Sequence, residues 1–255
     1  EPVSVATLSV ALDQARLRAA GYLCEPGSEG LFADYYREIK RPILRRALAV
    51  QAPANQRLIL VTSALPGEGK TFTTLNLALS LARERDISVL LIDADFPKSH
   101  MSRALGTYEE PGLLDAVVDG ALDVESLIMR TNVKGLDFLP GGRAAPNAAE
   151  LVSSARMAEL TARLVGRNSH RLVVLDSAPM LAASEARALV QLPGQIILVA
   201  RAGQTPLSAL QETIAQIDKK KLNGLVINDA YATKQNALYG YSGYGDRSDE
   251  VGNSG

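Results

Sequence analysis

Residues 63–71 have the composition of a loop that binds phosphate. The segment reads Ser-Ala-Leu-Pro-Gly-Glu-Gly-Lys-Thr, and it lies between a short apolar run and a stretch in which leucines recur at helical spacing. Glycines let backbone N–H groups turn toward an anion, and the N-terminus of the following helix adds a partial positive charge. In such a loop Lys70 would contact the β- and γ-phosphates of a nucleotide, and the Thr71 hydroxyl would hold Mg²⁺. Ala64 replaces the usual first glycine of this pattern.

Three aspartates follow apolar runs that have the composition of buried strands. Asp93 and Asp95 close the run Val-Leu-Leu-Ile-Asp-Ala-Asp, and Asp176 closes the run Leu-Val-Val-Leu-Asp. Side chains at positions i and i+2 of a strand point the same way, and ligands bind at the carboxyl edge of a parallel sheet. An isolated aspartate in such a place is often only a helix cap or a turn residue. Three of them beside one phosphate-binding loop instead predict a phosphate–metal site, in which Asp176 would hold the water shell of Mg²⁺.

The elements that must position these residues alternate along the chain. Between residues 57 and 229, short apolar runs predict buried strands, and the longer stretches between them predict helices. The predicted strands are residues 58–62, 88–93, 136–139, 172–176, 195–200 and 225–228, and the predicted helices are residues 71–85, 111–119, 149–165, 184–191 and 206–219. This alternation predicts an α/β fold like that of P-loop NTPases, with a doubly wound, mainly parallel sheet flanked by helices over residues 51–230.

The segments on either side of this domain have different patterns. Residues 1–50 predict an N-terminal helical segment with helices over residues 5–20 and 31–50, the second broken or kinked at Pro42. Residues 231–255 lose the periodicity and carry few aliphatic side chains, so we expect a flexible, disordered tail. Tyr239, Tyr241 and Tyr244 cluster in this tail, where no core is available to bury them.

Composition excludes several classes of function. The chain has 27 basic and 28 acidic side chains among 255 residues, so its formal net charge of −1 gives no global field that would attract nucleic acid. One cysteine excludes an internal disulfide, and two distant histidines leave no zinc cluster. No apolar run approaches the roughly 20 residues needed to cross a bilayer. We therefore expect a cytosolic chain that does not bind nucleic acid.

Together, these motifs resemble those of the bacterial tyrosine kinases of polysaccharide synthesis and export. The resemblance rests on the loop that ends in Lys70-Thr71, on Leu-Ile-Asp-Ala-Asp as the family's A-prime motif, and on Val-Leu-Asp-Ser-Ala-Pro as the Walker B motif. It also rests on Leu-Pro-Gly-Gly, on Pro-Asn-Ala-Ala-Glu-Leu and on the C-terminal tyrosines. The stretch Tyr-Arg-Glu-Ile-Lys-Arg-Pro-Ile-Leu is most similar to the stand-alone cytosolic autokinases encoded with exosortase-linked exopolysaccharide systems.

For the active site, the resemblance implies ATP and Mg²⁺ as cofactors. It implies catalytic roles for Lys70, Asp93 and Asp95, with Asp93 activating the incoming tyrosine hydroxyl, and it implies metal ligation by Thr71, Asp93 and Asp176. The expected nucleotide contacts are Pro66, Gly67, Glu68, Gly69, Lys70, Thr71 and Phe72, together with Asn228 at the end of the last predicted strand. Pro97, followed by Lys98, stands where the A-prime motif usually has a basic residue.

For regulation, the resemblance implies that Tyr239, Tyr241 and Tyr244 are phosphorylated in trans by neighbouring copies of the chain. It implies a homo-oligomer, with a ring as one form, assembled through Glu38, Arg41 and Arg45 of a Glu-x-x-Arg-x-x-Arg motif. Leu44 occupies the third position of that motif, so a solvated helix face is the alternative interpretation. The implied partners are a membrane polysaccharide co-polymerase and a cognate tyrosine phosphatase, which would place the chain in the cytoplasm, peripheral to the inner membrane.

Two other interpretations stay open at this point. The chain could be a P-loop ATPase without kinase activity, or a nucleotide-sensing binding module that docks on a polysaccharide co-polymerase. Plasmid-partition and division-site ATPases are disfavoured because Leu65 stands where they carry a signature lysine. The phosphate-binding loop is expected to be exposed, so Lys70→Met should abolish autophosphorylation while it leaves the fold intact.

Overall fold

The computed structural model describes residues 8–22 and 31–230. Eight strands form a single sheet in the order β1-β4-β5-β3-β6-β2-β7-β8. The strands are β1 Ser9–Val10, β2 Leu58–Ser63, β3 Ser88–Ala94, β4 Met129–Thr131, β5 Leu136–Leu139, β6 Arg171–Ser177, β7 Gln195–Arg201 and β8 Leu222–Asn228. Neighbouring strands are parallel except for the antiparallel pair β4–β5. The predicted doubly wound, mainly parallel α/β sheet is confirmed.

Helices cover both faces of the sheet. They are α1 Gln14–Ala19, α2 Leu31–Ala47, α3 Lys70–Leu81, α4 His100–Ala104, α5 Leu113–Val118, α6 Ala148–Val152, α7 Ala155–Gly166, α8 Ser184–Leu189 and α9 Leu207–Ala215, with 3₁₀ turns at Ala54–Arg57 and Val124–Leu127. One apolar core includes Ile43 of α2 and Leu77 of α3, and the other includes Leu160 of α7 and Leu189 of α8. Strands β2, β3, β6 and β7 between these two layers are buried on both faces, as their continuous apolar runs predict. The expectation of a buried strand is wrong for β8, where Leu225 and Ile227 at the sheet edge are 46% and 48% exposed.

The expected helix over residues 5–20 is wrong in part. Ser9–Val10 forms edge strand β1, which pairs in parallel with β4, and the helix begins only at Gln14. Val10 and Leu12 are buried while Ser9 and Ala11 are exposed, which is the period of a strand. The Asn132 side chain also accepts a hydrogen bond from the Leu12 N–H and donates one to the Leu12 carbonyl, so it holds this backbone extended. These tertiary contacts override the helical spacing of the sequence.

Helix α2 continues through Pro42 without a break, although the sequence predicts a break or a kink there. Proline lacks the N–H that would bond to the carbonyl of Glu38, which weakens one turn. Buried residues on both sides of it, including Tyr36, Ile43 and Ala47, anchor the helix on the core. The packing of this face therefore outweighs the lost hydrogen bond.

Other differences lie at element boundaries. The helix predicted over residues 149–165 is two helices, because the Ser154 side chain accepts a hydrogen bond from the Met157 N–H and starts α7 afresh. Strands β1 and β4 and helix α4 are absent from the prediction because they are too short to show a period. Within residues 8–22 and 31–230, none of the helices combines the length and apolar character needed to cross a bilayer.

Candidate active site

The phosphate-binding loop joins the carboxyl end of β2 to the first turn of α3. Gly67 and Gly69 have φ values of +81° and +90°, a backbone region that favours glycine. A Cβ atom on Gly69 would also collide with the side-chain amide of Asn228. The two glycines of the motif are therefore required by the shape of the loop, and the predicted strand–loop–helix context is present.

Lys70 is buried at the start of α3, with a relative exposure of 8%, so it does not lie on an exposed loop. Its Nζ lies 2.9 Å from Oδ2 of Asp95, a residue that is 1% exposed. This is an ion-pair distance without the alignment of a hydrogen bond, and neither Asp95 oxygen accepts a hydrogen bond from the described part of the chain. The structure therefore brings two of the predicted catalytic residues together as a buried ion pair.

Asp93 and Asp176 stand side by side on neighbouring strands, because the parallel register of β3 and β6 pairs them directly. Oδ2 of Asp93 accepts hydrogen bonds from both the N–H and the hydroxyl of Ser102, each at 2.7 Å, and Oδ1 accepts one from the Asp95 N–H at 3.2 Å. Oδ1 of Asp176 accepts a hydrogen bond from Thr74 Oγ1 at 2.9 Å, while Oδ2 has no partner among the described residues. Asp93 is thus anchored within the fold, and Asp176 keeps a free oxygen.

Burial sets the electrostatics of this pair. It raises the pKa of Asp176 to about 7, against the lowering effect of the Lys70 charge, and the nearby Asp93 charge raises that pKa further. Burial also raises the pKa of Asp93, although the hydrogen bonds from Ser102 oppose the rise. Carboxylates in such an environment are stabilised by a cation.

The donor set fits a magnesium ion that is also bound to nucleotide. Both Asp95 oxygens and Oδ2 of Asp176 are buried and accept no hydrogen bond in residues 8–22 and 31–230, and the Thr71 hydroxyl helps to lower the pKa of Asp176. Across those same residues, no group of three His, Cys, Asp or Glu side chains could hold a metal by itself. Mg²⁺ usually takes only one or two carboxylates, with waters and phosphate oxygens as its other ligands. Asp95, which was predicted as catalytic only, therefore joins Asp176 as a candidate ligand. Asp93 was also predicted as a ligand, but both of its oxygens accept hydrogen bonds within the protein.

Glu68 and Phe72 were predicted as nucleotide contacts, but their side chains contact the protein itself. The Glu68 carboxylate accepts hydrogen bonds from the Leu65 N–H and from the Thr205 hydroxyl. The Phe72 ring packs against Tyr22 and Phe32, with centroids 5.0 Å and 6.0 Å away. Any contact of these residues with a phosphate would therefore use their backbone N–H groups, that of Glu68 in the loop and that of Phe72 in the first turn of α3, and this contact stays a prediction.

Asn228 lies at the end of β8 and closes on the loop. Its Nδ2 donates a hydrogen bond to the Glu68 carbonyl at 3.1 Å, and its side chain fills the space beside Gly69. The structure places it against the phosphate-binding loop, and its contact with the nucleotide stays a prediction. The sequence does not point to Ser102, Thr74 and Thr205, because hydroxyl residues are common. The carboxylates that Thr74 and Thr205 contact also lie 102 and 137 positions away along the chain.

The remaining predicted residues are not part of this cluster. Glu38 and Arg41 form an ion pair of 2.6 Å on α2, where both side chains are 67% exposed, and Arg45 is exposed near the end of the same helix. The predicted acceptors Tyr239, Tyr241 and Tyr244 lie outside the described residues.

Comparison with known proteins identifies the family of this chain. A sequence family described as an AAA domain matches residues 56–227. The tyrosine-protein kinase YwqD of Bacillus subtilis is 33% identical over 227 residues, which cover 88% of this chain and 91% of that protein. The chain belongs to the bacterial tyrosine-protein kinase family. The kinase domain of VpsO has the same fold, with 31% identity, a TM-score of 0.63, and coverage of 79% of this chain and 100% of that structure.

Other members of the family are much longer than this chain. The tyrosine-protein kinase Ptk of Acinetobacter johnsonii is 31% identical over 178 residues, which cover 69% of this chain but only 24% of that protein. This chain therefore corresponds to about a quarter of the length of such relatives, and it corresponds to nearly all of YwqD.

Proposed function

We propose that the chain transfers the γ-phosphoryl group of ATP to tyrosine hydroxyls. The observation that carries this proposal is the buried Lys70–Asp95 pair at the end of a phosphate-binding loop, beside the in-register carboxylates Asp93 and Asp176. A lysine placed to contact phosphate and carboxylate oxygens able to hold a metal ion are the groups that phosphoryl transfer needs. Both Asp95 oxygens and Oδ2 of Asp176 accept no hydrogen bond from the described residues. Membership of the tyrosine-kinase family supports tyrosine as the acceptor.

Each residue would have a distinct role in this reaction. Lys70, with three N–H donors, would exchange its contact with Asp95 for oxygens of the β- and γ-phosphates. Thr71, Asp95 and Asp176 would hold Mg²⁺, which neutralises charge on the phosphates when it is bound. The reaction forms a bond from the tyrosine oxygen to phosphorus, breaks the bond from phosphorus to the β–γ bridging oxygen, and releases the phenolic proton. Asp93, whose pKa burial raises, is the proposed acceptor of that proton.

The proposed substrates are Tyr239, Tyr241 and Tyr244 of a neighbouring copy, within a homo-oligomer that assembles through Glu38, Arg41 and Arg45. This part of the proposal rests on the family resemblance and on the exposure of the three α2 residues. On the same basis, the chain would act in the cytoplasm at the inner membrane, with a polysaccharide co-polymerase as its partner and a tyrosine phosphatase as its antagonist. Its phosphorylation state would then regulate exopolysaccharide synthesis and export.

The decisive experiment is incubation with labelled ATP and Mg²⁺, followed by mass spectrometry of the tail. Phosphotyrosine at positions 239, 241 and 244 is expected. Free phosphate without phosphotyrosine would instead favour an ATPase, and nucleotide binding without turnover would favour a sensing module. Lys70→Met and Asp93→Asn should each abolish labelling. Lys134→Met removes an exposed cation from the β4–β5 turn and serves as the matched control.

A mixing experiment tests transfer between copies. A Lys70→Met chain with an intact tail is combined with an active chain whose three tail tyrosines are changed to Phe. Phosphotyrosine on the Lys70→Met chain is expected because only a neighbouring copy can supply the phosphoryl group. Labelling that appears in wild type but never on the inactive partner would reject transfer in trans and leave the kinase assignment intact.

A further inference from the structure

The Glu68 carboxylate sits inside the phosphate-binding loop, two residues before Lys70, yet only 4% of the residue is exposed. A negative charge near a phosphate site opposes binding of the anion. Its two oxygens are instead turned to donors within the protein. Oε2 accepts a hydrogen bond from the Leu65 N–H at 2.8 Å, and Oε1 accepts one from the Thr205 hydroxyl. The Glu68 side chain therefore contacts the protein, and this contact indicates a role other than binding the nucleotide.

Thr205 connects this carboxylate to the end of strand β7. It lies in the turn between β7 and α9, and its Oγ1 also accepts a hydrogen bond from the Arg201 N–H at 2.8 Å. The chain of bonds thus runs from the Arg201 backbone through Thr205 and Glu68 to Leu65. We call these four residues the Glu68 network.

A second connection reinforces the first. The Asn228 side chain at the end of β8 donates a hydrogen bond to the Glu68 carbonyl and lies against Gly69. The next residue, Asp229, has a φ of +56° and accepts hydrogen bonds from the Arg201 guanidinium at 2.9 Å and 3.0 Å. The ends of β7 and β8 are thereby tied to each other and to the middle of the phosphate-binding loop.

We propose that Glu68 is a positioning residue, which fixes the phosphate-binding loop against the β7–α9 turn through Thr205 and so sets the loop in the form that receives ATP. The inference rests on nucleotide binding in the proposed function. It requires no kinase activity. Pre-set backbone donors bind an anion more tightly because less order is lost on binding. Loss of the network should therefore weaken ATP affinity more than it slows any later chemical step.

Two matched pairs of variants separate the hydrogen bonds from simple packing. Glu68→Ala removes both bonds, whereas Glu68→Gln keeps an acceptor for Leu65 and an amide that can donate to Thr205. Thr205→Val keeps the shape but loses the hydroxyl, and Thr205→Ser restores it. Calorimetric titration with Mg·ATP should show affinity weakened about 10-fold or more by Glu68→Ala and Thr205→Val. Glu68→Gln and Thr205→Ser should stay within about 3-fold of wild type.

The double variant Glu68→Ala/Thr205→Val tests whether the two residues act as a unit. If they do, its affinity should be no weaker than that of the weaker single variant, since the same link has already been lost. Multiplied effects would show that the residues act separately and would overturn the proposal. Single variants that leave affinity within about 2-fold would overturn it as well.

A measurement without nucleotide reports on the loop directly. In hydrogen exchange, Thr205→Val should speed exchange of the Leu65 amide, although Thr205 does not touch that amide, because Glu68 loses its second anchor. Unchanged exchange at Leu65 in Thr205→Val, with fast exchange in Glu68→Ala, would reduce Glu68 to a local turn residue and reject the link. A wild type that binds ATP but forms no phosphotyrosine would end the kinase proposal while leaving this one testable. Absence of ATP binding would overturn both.

Discussion

The carboxyl edge of the sheet and helix α2 both carry charged residues of predicted function, but the protein surrounds them differently. At the sheet edge, Lys70 and Asp95 form a buried pair, and Asp93 accepts three hydrogen bonds. On α2, Glu38 and Arg41 pair with each other in solvent, with 67% of each side chain exposed. A buried charge must have its partner within the fold, whereas an exposed charge is solvated by water.

The difference shows which charges the fold depends on. Lys40, next to Arg41 on α2, is the exception on that helix, because its Nζ donates a hydrogen bond to the Ser80 carbonyl at 3.0 Å and pairs with Glu84 at 2.6 Å. It thereby caps the C-terminal end of α3, the helix that begins at Lys70. The burial of a charged side chain therefore indicates how strongly the fold depends on it, better than its charge or its place in a motif does. Four expected outcomes test this distinction.

The largest effect of a single substitution should follow Lys70→Met, which leaves the carboxylate of Asp95 buried without its cation. Loss of one partner of a buried pair costs about 3 kcal/mol or more of unfolding free energy. Urea unfolding without nucleotide and with a chelator measures this loss. The double variant Lys70→Met/Asp95→Asn should recover at least half of it, since the orphaned charge is gone. A Lys70→Met protein as stable as wild type would show that this edge behaves like an exposed loop.

The next effect concerns the two neighbouring cations of α2. Lys40→Met should lower the free energy of unfolding by about 1–2 kcal/mol, because the Ser80 carbonyl loses its hydrogen-bond donor. Arg41→Met is the matched control on the adjacent position, and its change should stay within about 0.5 kcal/mol. Equal losses for the two variants would break the distinction between the inner and outer faces of α2.

A pH titration sharpens the description of the sheet edge. The pKa of Asp176 is raised by burial to about 7, above the ordinary aspartate value of 3.8, so the folded protein holds a proton that the unfolded chain releases between these values. Stability without metal should therefore fall as pH rises from about 4 to about 7, by up to about 1.4 kcal/mol per pH unit, and level off above that. The difference in unfolding free energy between wild type and Asp176→Asn, followed as a function of pH, measures the contribution of Asp176. A pH-independent difference would show that Asp176 is ionised throughout this range.

The smallest effect on stability should come from Glu38→Gln combined with Arg41→Met, within about 0.5 kcal/mol. If these residues form the proposed interface, light scattering should nevertheless show smaller assemblies than wild type at the same concentration. An unchanged mass with unchanged stability would leave them as a solvated helix face. The interface would then have to be sought on another surface.

Much of the fold was predictable because its signals are local. Six of the eight strands follow from continuous apolar runs, and strand–loop–helix order placed Lys70 and Thr71 at the start of α3. Strand β1 was not predictable, since two residues show no period and its extended form depends on Asn132, 120 positions away from Leu12. The continuity of α2 through Pro42 likewise depends on packing that no local pattern records.

By itself, the sequence determined which groups stand at the carboxyl edge of the sheet, because an apolar run followed by an aspartate fixes where a parallel strand ends. Only the tertiary structure decided how those groups are used. The register of β3 and β6 sets Asp93 beside Asp176. Ser102 donates a hydrogen bond to Asp93, and Lys70 pairs with Asp95. The tertiary structure also directs the Glu68 side chain toward Thr205, 137 positions away along the chain. Hydrogen bonds and ion pairs between distant residues depend on atomic positions that exist only once the whole sheet has formed, so composition and spacing cannot specify them.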